Sequence, residues 1–318
     1  MLGARARVVV LAASLAVASA AAGAGTAPPP TGGLIAFDRQ LGEASWAIGL
    51  IGPTGGAARL LQLRVHGGHD PAWSPDGRSI AFGSWGFADG GIPDGIWVVD
   101  ANGRGLRRVA TADDPSDPTW SPDGHRIAFS ATGIQGAGCC VRKVYVVDAR
   151  GTRLRQAIAR PRLHVDEPAW SPDGRSIAVR VRSLFAATGE IALAHPDGTG
   201  LHAITSTGGR DPAWSPDGRL IAYEGLFGSE VERTIVIHPD GTGRRPVGDP
   251  RPGGDQGPSW SPDGRCLVVA STRRTRPTAF PPPRELFLIS LDGRQALEIS
   301  PRPDIDTDPA WSPAAGNV

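Results

Sequence analysis

Five carboxylates recur at one place in this sequence. Asp70, Asp117, Glu167, Asp211 and Asp308 each precede the proline of an x-Pro-x-Trp-Ser-Pro phrase, and Gly257 breaks the series in the remaining copy. Carboxylates brought together repel one another, so a ring of them favours a bound cation or a basic group of a partner. The same residues have a structural use if each accepts backbone N–H groups of its own unit or the next, as aspartate does in turns. The residues alone leave both uses open.

A second set of contacts lies in the variable segments. Trp85, Phe87, Leu184, Phe185, Leu226, Phe227 and Phe280 are apolar, and Arg273, Arg274, Arg276 and Arg284 flank the run Pro281-Pro282-Pro283. Aromatics combined with arginine anchor protein interfaces, or else each aromatic lids the unit beneath it. The candidate partner-binding set is therefore Asp70, Asp117, Glu167, Asp211, Asp308, Trp85, Phe87, Phe185 and Phe227.

The remaining reactive side chains point to less. His66, His69 and His164 precede their tryptophans without a recurrent ligand spacing, so no metal ligands are assigned. His195 and His238 stand where other copies place Asp100, Asp148 and Ser290, which makes them turn-capping residues. Cys266 falls on a strand position, while Cys139-Cys140 are either a vicinal disulfide or two thiols. There is no Gly-x-Ser-x-Gly elbow and no phosphate-cradling loop, so no catalytic residue and no cofactor are expected beyond a cation at the acidic ring.

The elements that must hold these residues repeat. Trp73, Trp120, Trp170, Trp214, Trp260 and Trp311 are 44 to 51 residues apart, a period at which repeats mean propeller blades or solenoid units. Each of the first five is followed by Ser-Pro-Asp-Gly, which is turn chemistry, and then by an apolar run such as Ile80-Ala81-Phe82 or Ile127-Ala128-Phe129. A variable loop, a β-rich run such as Val144-Tyr145-Val146-Val147 and a second glycine turn complete four antiparallel strands per unit. The sixth copy stops after Trp311, and Gly33 to Phe37 reads as a second strand lacking its first. Pairing tail with head closes a ring, so the expectation is an all-β, six-bladed β-propeller over residues 33–318. With the tryptophan strands innermost, the acidic residues encircle the channel on the face that carries the long loops.

Trp-Ser-Pro-Asp-Gly-x-x-Ile-Ala-Phe, followed by a β run ending in Asp-x-x-Gly, resembles the WD40-like (PD40) repeat of the TolB propeller family over about residues 33 to 313. The resemblance implies the propeller fold. Members of that family carry a separate α/β domain ahead of the propeller, for which this chain has no room, so a role in a Tol–Pal envelope system is not part of the expectation. Some related propellers are lyases using axial histidines and a metal. That supplies the alternative: a metal-assisted lyase or hydrolase acting on a saccharide or small ligand at the channel mouth.

Residues 1–24 read as a secretory signal, with Arg5 and Arg7 before an apolar run from Val8 to Ala22 and small residues at Ala18-Ser19-Ala20 and Ala22-Gly23-Ala24. Residues 25–32 form a proline-containing linker. The run is too short to span a bilayer comfortably, so no transmembrane segment is expected beyond the signal. Its removal takes the formal charge from +1 to about −1, which leaves no basic excess for nucleic acid. The sequence thus predicts an exported, periplasmic or extracellular, monomeric and non-catalytic binding module for a protein or peptide.

Overall fold

The computed structural model describes residues 32–42, 45–63, 67–84, 94–134, 141–186, 188–206, 208–227, 232–248, 254–272, 284–300 and 305–313. The expected signal and nearly all of the linker lie outside these residues, as do Trp85, Phe87, Phe280, Cys139, Cys140 and His66. The chain opens on β1 (Ile35–Gly42), β2 (Ser45–Ile51) and β3 (Arg59–Leu60). The first complete blade is β4 (Gly68–Trp73), β5 (Ser79–Ser84), β6 (Gly95–Asp100) and β7 (Arg107–Ala110). The second is β8 (Ser116–Trp120), β9 (Arg126–Ala131), β10 (Lys143–Asp148) and β11 (Arg155–Ile158). The third is β12 (Leu163–Trp170), β13 (Ile177–Ser183), β14 (Glu190–Ala194) and β15 (His202–Ala203). The fourth is β16 (Gly209–Trp214), β17 (Ile221–Leu226), β18 (Glu232–Ile237) and β19 (Arg245–Pro246). The fifth is β20 (Asp255–Trp260), β21 (Cys266–Ser271), β22 (Glu285–Ser290) and β23 (Ala296–Glu298). The last strand, β24 (Asp306–Trp311), pairs with β1 and completes the sixth blade. Among the described residues no helix is long and apolar enough to cross a membrane.

The predicted closure is observed. Ile35 pairs with Trp311, Ala36 with Ala310 and Arg39 with Asp306, and the inner strands touch in a cycle in which β24 meets both β20 and β4. Ser312 fastens the join, its Oγ accepting from Leu34 N–H and its own N–H donating to Leu34 O, each at 2.8 Å. A ring closed in this way leaves only short sheet edges, with those of the inner strands sheltered along the channel.

Local chemistry explains each unit. In the first Ser-Pro-Asp-Gly turn, Ser74 Oγ donates to Asp76 Oδ1 at 2.6 Å and accepts from Ser79 N–H at 2.9 Å, and Gly77 takes φ +68°. The same hydroxyl–carboxylate pair recurs at Ser121–Asp123, Ser171–Asp173, Ser215–Asp217 and Ser261–Asp263. The large–small–large pattern of the second strands then sorts side chains between the two faces of each sheet, as a period of two requires. Ile127 and Phe129 pack into the seam with the first blade, and Ala128 into the seam with the third. Six buried apolar clusters result, one at each blade interface.

The tryptophans tie the blades together by a rule set one residue upstream. Where alanine precedes the motif tryptophan, its carbonyl accepts the indole N–H of the next blade: Trp73 to Ala310, Trp120 to Ala72, Trp214 to Ala169 and Trp260 to Ala213, at 3.0 to 3.2 Å. Where a hydroxyl residue stands there, the hydroxyl takes the next tryptophan's backbone N–H instead: Trp170 to Thr119 Oγ1 at 3.5 Å and Trp311 to Ser259 Oγ at 3.0 Å.

Candidate binding site at the channel mouth

Every inner strand breaks register at its motif proline. The shift falls between His69 and Ala72, Ser116 and Thr119, Asp166 and Ala169, Arg210 and Ala213, and Gln256 and Ser259, with the matching break opposite Ala36 and Asp38. Proline has no N–H for the ladder, so a bulge forms. The residue before it adopts the left-handed conformation, with φ of 47° to 53° at Asp70, Asp117, Glu167, Asp211 and Asp308 and 56° at Gly257. Glycine enters that region freely and aspartate more readily than most residues, which accounts for the residue types at this position.

The six bulges converge. Asp70, Asp117, Glu167, Asp211, Gly257 and Asp308, each with its proline, line one cavity of about 150 Å³ at an end of the channel. The backbone N–H groups of Asp70, Asp117, Glu167 and Asp211 are satisfied in two ways. The second strand of the preceding blade accepts where it carries an acceptor: Asp38 Oδ2 from Asp70 N–H at 2.9 Å, and Ser130 Oγ from Glu167 N–H at 2.9 Å. Where that position holds Gly83 or Arg180, the preceding blade's own acid takes over: Asp70 Oδ2 accepts Asp117 N–H at 3.0 Å, and Glu167 Oε2 accepts Asp211 N–H at 2.7 Å. Asp70 and Glu167 therefore serve the fold. Asp117 and Asp308, in blades where Ser130 and Asp38 do that work, bond their neighbours Ser116 and Thr307 instead.

Arginines set the field of the mouth, and the sequence reading did not place them there. Arg180 Nη2 meets Glu167 Oε1 at 2.8 Å and its Nε meets Asp166 Oδ1 at 2.8 Å. Arg210 Nη2 contacts Glu224 at 2.5 Å and Glu232 at 2.7 Å, and Arg142 pairs with Asp114 and donates to Ser116. Burial and the neighbouring Asp70 push Asp117 up to about 7, despite Arg142. Burial raises Glu167, Asp211 and Asp308 as well, with a neighbouring carboxylate as the next cause for Glu167 (Asp211) and for Asp308 (Asp70). Burial also acts on Asp70, but His69 outweighs it and holds that carboxyl below its ordinary value. Glu224, buried beside the ring, rises to about 9 through desolvation.

The histidines divide by environment. His69 is buried with Nδ1 2.9 Å from Asp70 Oδ2, and His164 Nδ1 accepts Arg142 N–H at 3.1 Å. Burial, followed by Arg182, holds His164 below its usual value. His195 and His238 sit in tight turns, their N–H groups bonded to Thr199 O and Thr242 O. Among the described residues, the group close enough to share a metal is Asp38, Asp70 and Asp308, which contains no histidine.

Of the loop aromatics, Phe185 is 99 % exposed. Phe227 packs against the seam between the third and fourth blades, with the Arg244 guanidinium 4.9 Å from its ring centre. The structure also shows a second mouth that the sequence reading passed over. Trp73, Trp170, Trp214, Trp260 and Trp311, with Pro75, Pro216, Pro262 and Pro313, line a cavity of about 390 Å³. The repeat that places the acids at one end of the channel places indoles and prolines at the other.

These features define a closed six-bladed β-propeller with an acidic mouth at one end of its channel. No family model matches the sequence, and no curated protein matches it. Among solved structures the chain is similar to TolB from Acinetobacter baumannii, at 19 % identity over 88 % of this chain and 67 % of that one, with a TM-score of 0.69. It is similar to a putative TolB from Agrobacterium tumefaciens, at 19 % identity over 89 % and 99 % of the two chains, with a TM-score of 0.61. It also resembles an oligogalacturonate lyase in complex with manganese, at 16 % identity over 84 % and 73 %, with a TM-score of 0.53. At these identities the likeness is one of fold, and a propeller fold hosts many functions.

Proposed function

We propose that this chain is an exported, non-catalytic propeller that binds a protein or peptide at the acidic mouth of its channel. The observation that carries this reading is the convergence of five carboxylates on one open cavity, where Asp117 and Asp308 are not engaged in holding the next blade's backbone. Such a field draws a basic group of a partner, and Phe185, exposed on the loop between β13 and β14, offers an apolar contact. Export rests on residues 1–24 and is tested by sequencing the N-terminus of the secreted protein. The binding role is tested by affinity capture from envelope and culture fluid, followed by capture with Asp117→Asn/Asp308→Asn. Loss of the partner from the double variant supports the reading, and undiminished capture removes the mouth from it.

The metal-assisted alternative gains little from this geometry. Among the described residues, the group close enough to share a metal is carboxylate only and brings in neither His69 nor His164.

A further inference from the structure

One carboxylate oxygen from each of Asp38, Asp70 and Asp308 lies within 4.8 Å of the other two. They come from three elements: Asp38 from the head strand β1, Asp308 from the tail strand β24, and Asp70 from the next blade. Asp38, the innermost of the three, is only 2 % exposed, and its Oδ1 has no hydrogen-bond partner. Buried polar atoms are otherwise almost always bonded, so this oxygen asks for a donor. Asp70 and Asp308 line the open cavity and connect that corner to solvent.

The corner also differs in charge from the rest of the ring. Asp117 faces Arg142, and Glu167 and Asp211 face Arg180, while in the corner the basic neighbours, His69 and Arg142, act on Asp70. Burial first and then neighbouring carboxylates push Asp38 and Asp308 well up, and nearby Arg39 is committed to Asp306 through two bonds of 2.8 Å.

We infer that this corner takes one ammonium group of the bound partner, a lysine side chain or a free peptide N-terminus; the inference rests on reading the mouth as a peptide-binding surface. An ammonium presents three donors and no acceptor, and three oxygens bonded to one tetrahedral nitrogen at about 2.8 Å stand about 4.6 Å apart. That number fits the trio, and its oxygens, within 4.8 Å of one another, lie inside the reach of one such nitrogen. One oxygen of Asp38 and one of Asp70 are already occupied: Asp38 Oδ2 by Asp70 N–H, and Asp70 Oδ2 by Asp117 N–H and His69. Single-oxygen ligands of this kind fall short of the six to eight oxygens a calcium ion takes, and they do not form the flat fork a guanidinium needs.

The test uses the whole mature chain and small probes at constant ionic strength, followed by protein-observed NMR. The probes are acetyl-Gly-Lys-Gly-amide, unblocked Gly-Gly-Gly-amide and the neutral acetyl-Gly-norleucine-Gly-amide, with calcium chloride as competitor. Saturable binding of one ammonium probe, about tenfold or more tighter than the neutral one, is expected, and which probe binds tells lysine from N-terminus. Asp38→Asn, which keeps an oxygen for Asp70 N–H, and Asp308→Asn should each weaken it about tenfold, while Asp217→Asn on the other face should not. Equal binding of the neutral probe, binding unaffected by Asp38→Asn, or calcium that binds tightly and excludes the ammonium would each overturn the inference. If the probe binds but no partner is captured, the binding reading fails and the ammonium corner stands. If partner capture survives Asp38→Asn, only the corner fails.

Discussion

Arg39 and Asp306 form a buried two-bonded pair, Nε to Oδ1 and Nη2 to Oδ2 at 2.8 Å each, that joins the first strand of the fold to its last. The pair sits directly in register across the closing sheet, so the same contact fixes both the ring and the alignment of its two ends.

Removing one member of such a pair takes both bonds of 2.8 Å from a buried charge, a change that costs about 3–5 kcal/mol. Arg39→Leu and Asp306→Leu should each lower the unfolding free energy by that order in denaturant titrations. The double variant should lose clearly less than the two single losses together, because both charges of the pair are then removed at once.

Glu167 and Asp117 occupy equivalent ring positions with different duties, and substitution should separate them. Glu167→Ala removes the acceptor of Asp211 N–H and a partner of Arg180, so a loss of about 1–3 kcal/mol is expected by thermal or chemical denaturation. Asp117→Asn should leave stability near neutral pH unchanged or improved while reducing partner capture. The reverse pattern would assign the two roles wrongly.

Asp117 also supplies a pH signature. A carboxyl raised to about 7 by burial and by Asp70 holds its proton more tightly folded than unfolded, where its pKa is about 3.9. Between those values the unfolded state binds fewer protons, so this group's contribution to stability is greatest at low pH and falls as pH rises from about 4 to 7. Relative to the wild type, Asp117→Asn should therefore gain stability over that window, by at most about 1.4 kcal/mol per pH unit. A difference between the two proteins that stays flat from pH 5 to 8 would show that Asp117 is ionised throughout.

The tryptophan rule can be inverted. Trp170 Nε1 is buried without a partner while its backbone N–H reaches Thr119 Oγ1. Thr119→Ala should let the indole N–H turn to the carbonyl at position 119, as it does at the four alanine seams, with a net change under about 0.5 kcal/mol. A loss well above about 1 kcal/mol, or a crystal structure of the variant with Nε1 still unbonded, would show that the seam cannot switch.

Much of this was legible from the repeat itself. Spacing gave the blades, the truncated phrase at Trp311 gave the closure, and the shared place of the acids put them at one mouth. The histidines at 195 and 238 could be placed in turns because other copies carry aspartate or serine there. What the sequence reading missed was the bulge, although Gly257 standing among aspartates was its signal: glycine and aspartate share a position where φ must be positive. Nor could it show that Gly83 and Arg180 force Asp70 and Glu167 into structural service, since that trade depends on contacts between blades. Arg142 and Arg210 lie outside the repeated phrase, so periodicity carried no information about them.

Gly257 leaves one sixth of the mouth without a carboxylate, and Asp38 adds a further carboxyl on the side of Asp70 and Asp308. A hole of perfect sixfold character would seat a guest in half a dozen equivalent rotations. This lopsided one offers a single preferred azimuth, so a peptide entering it would be oriented as well as held.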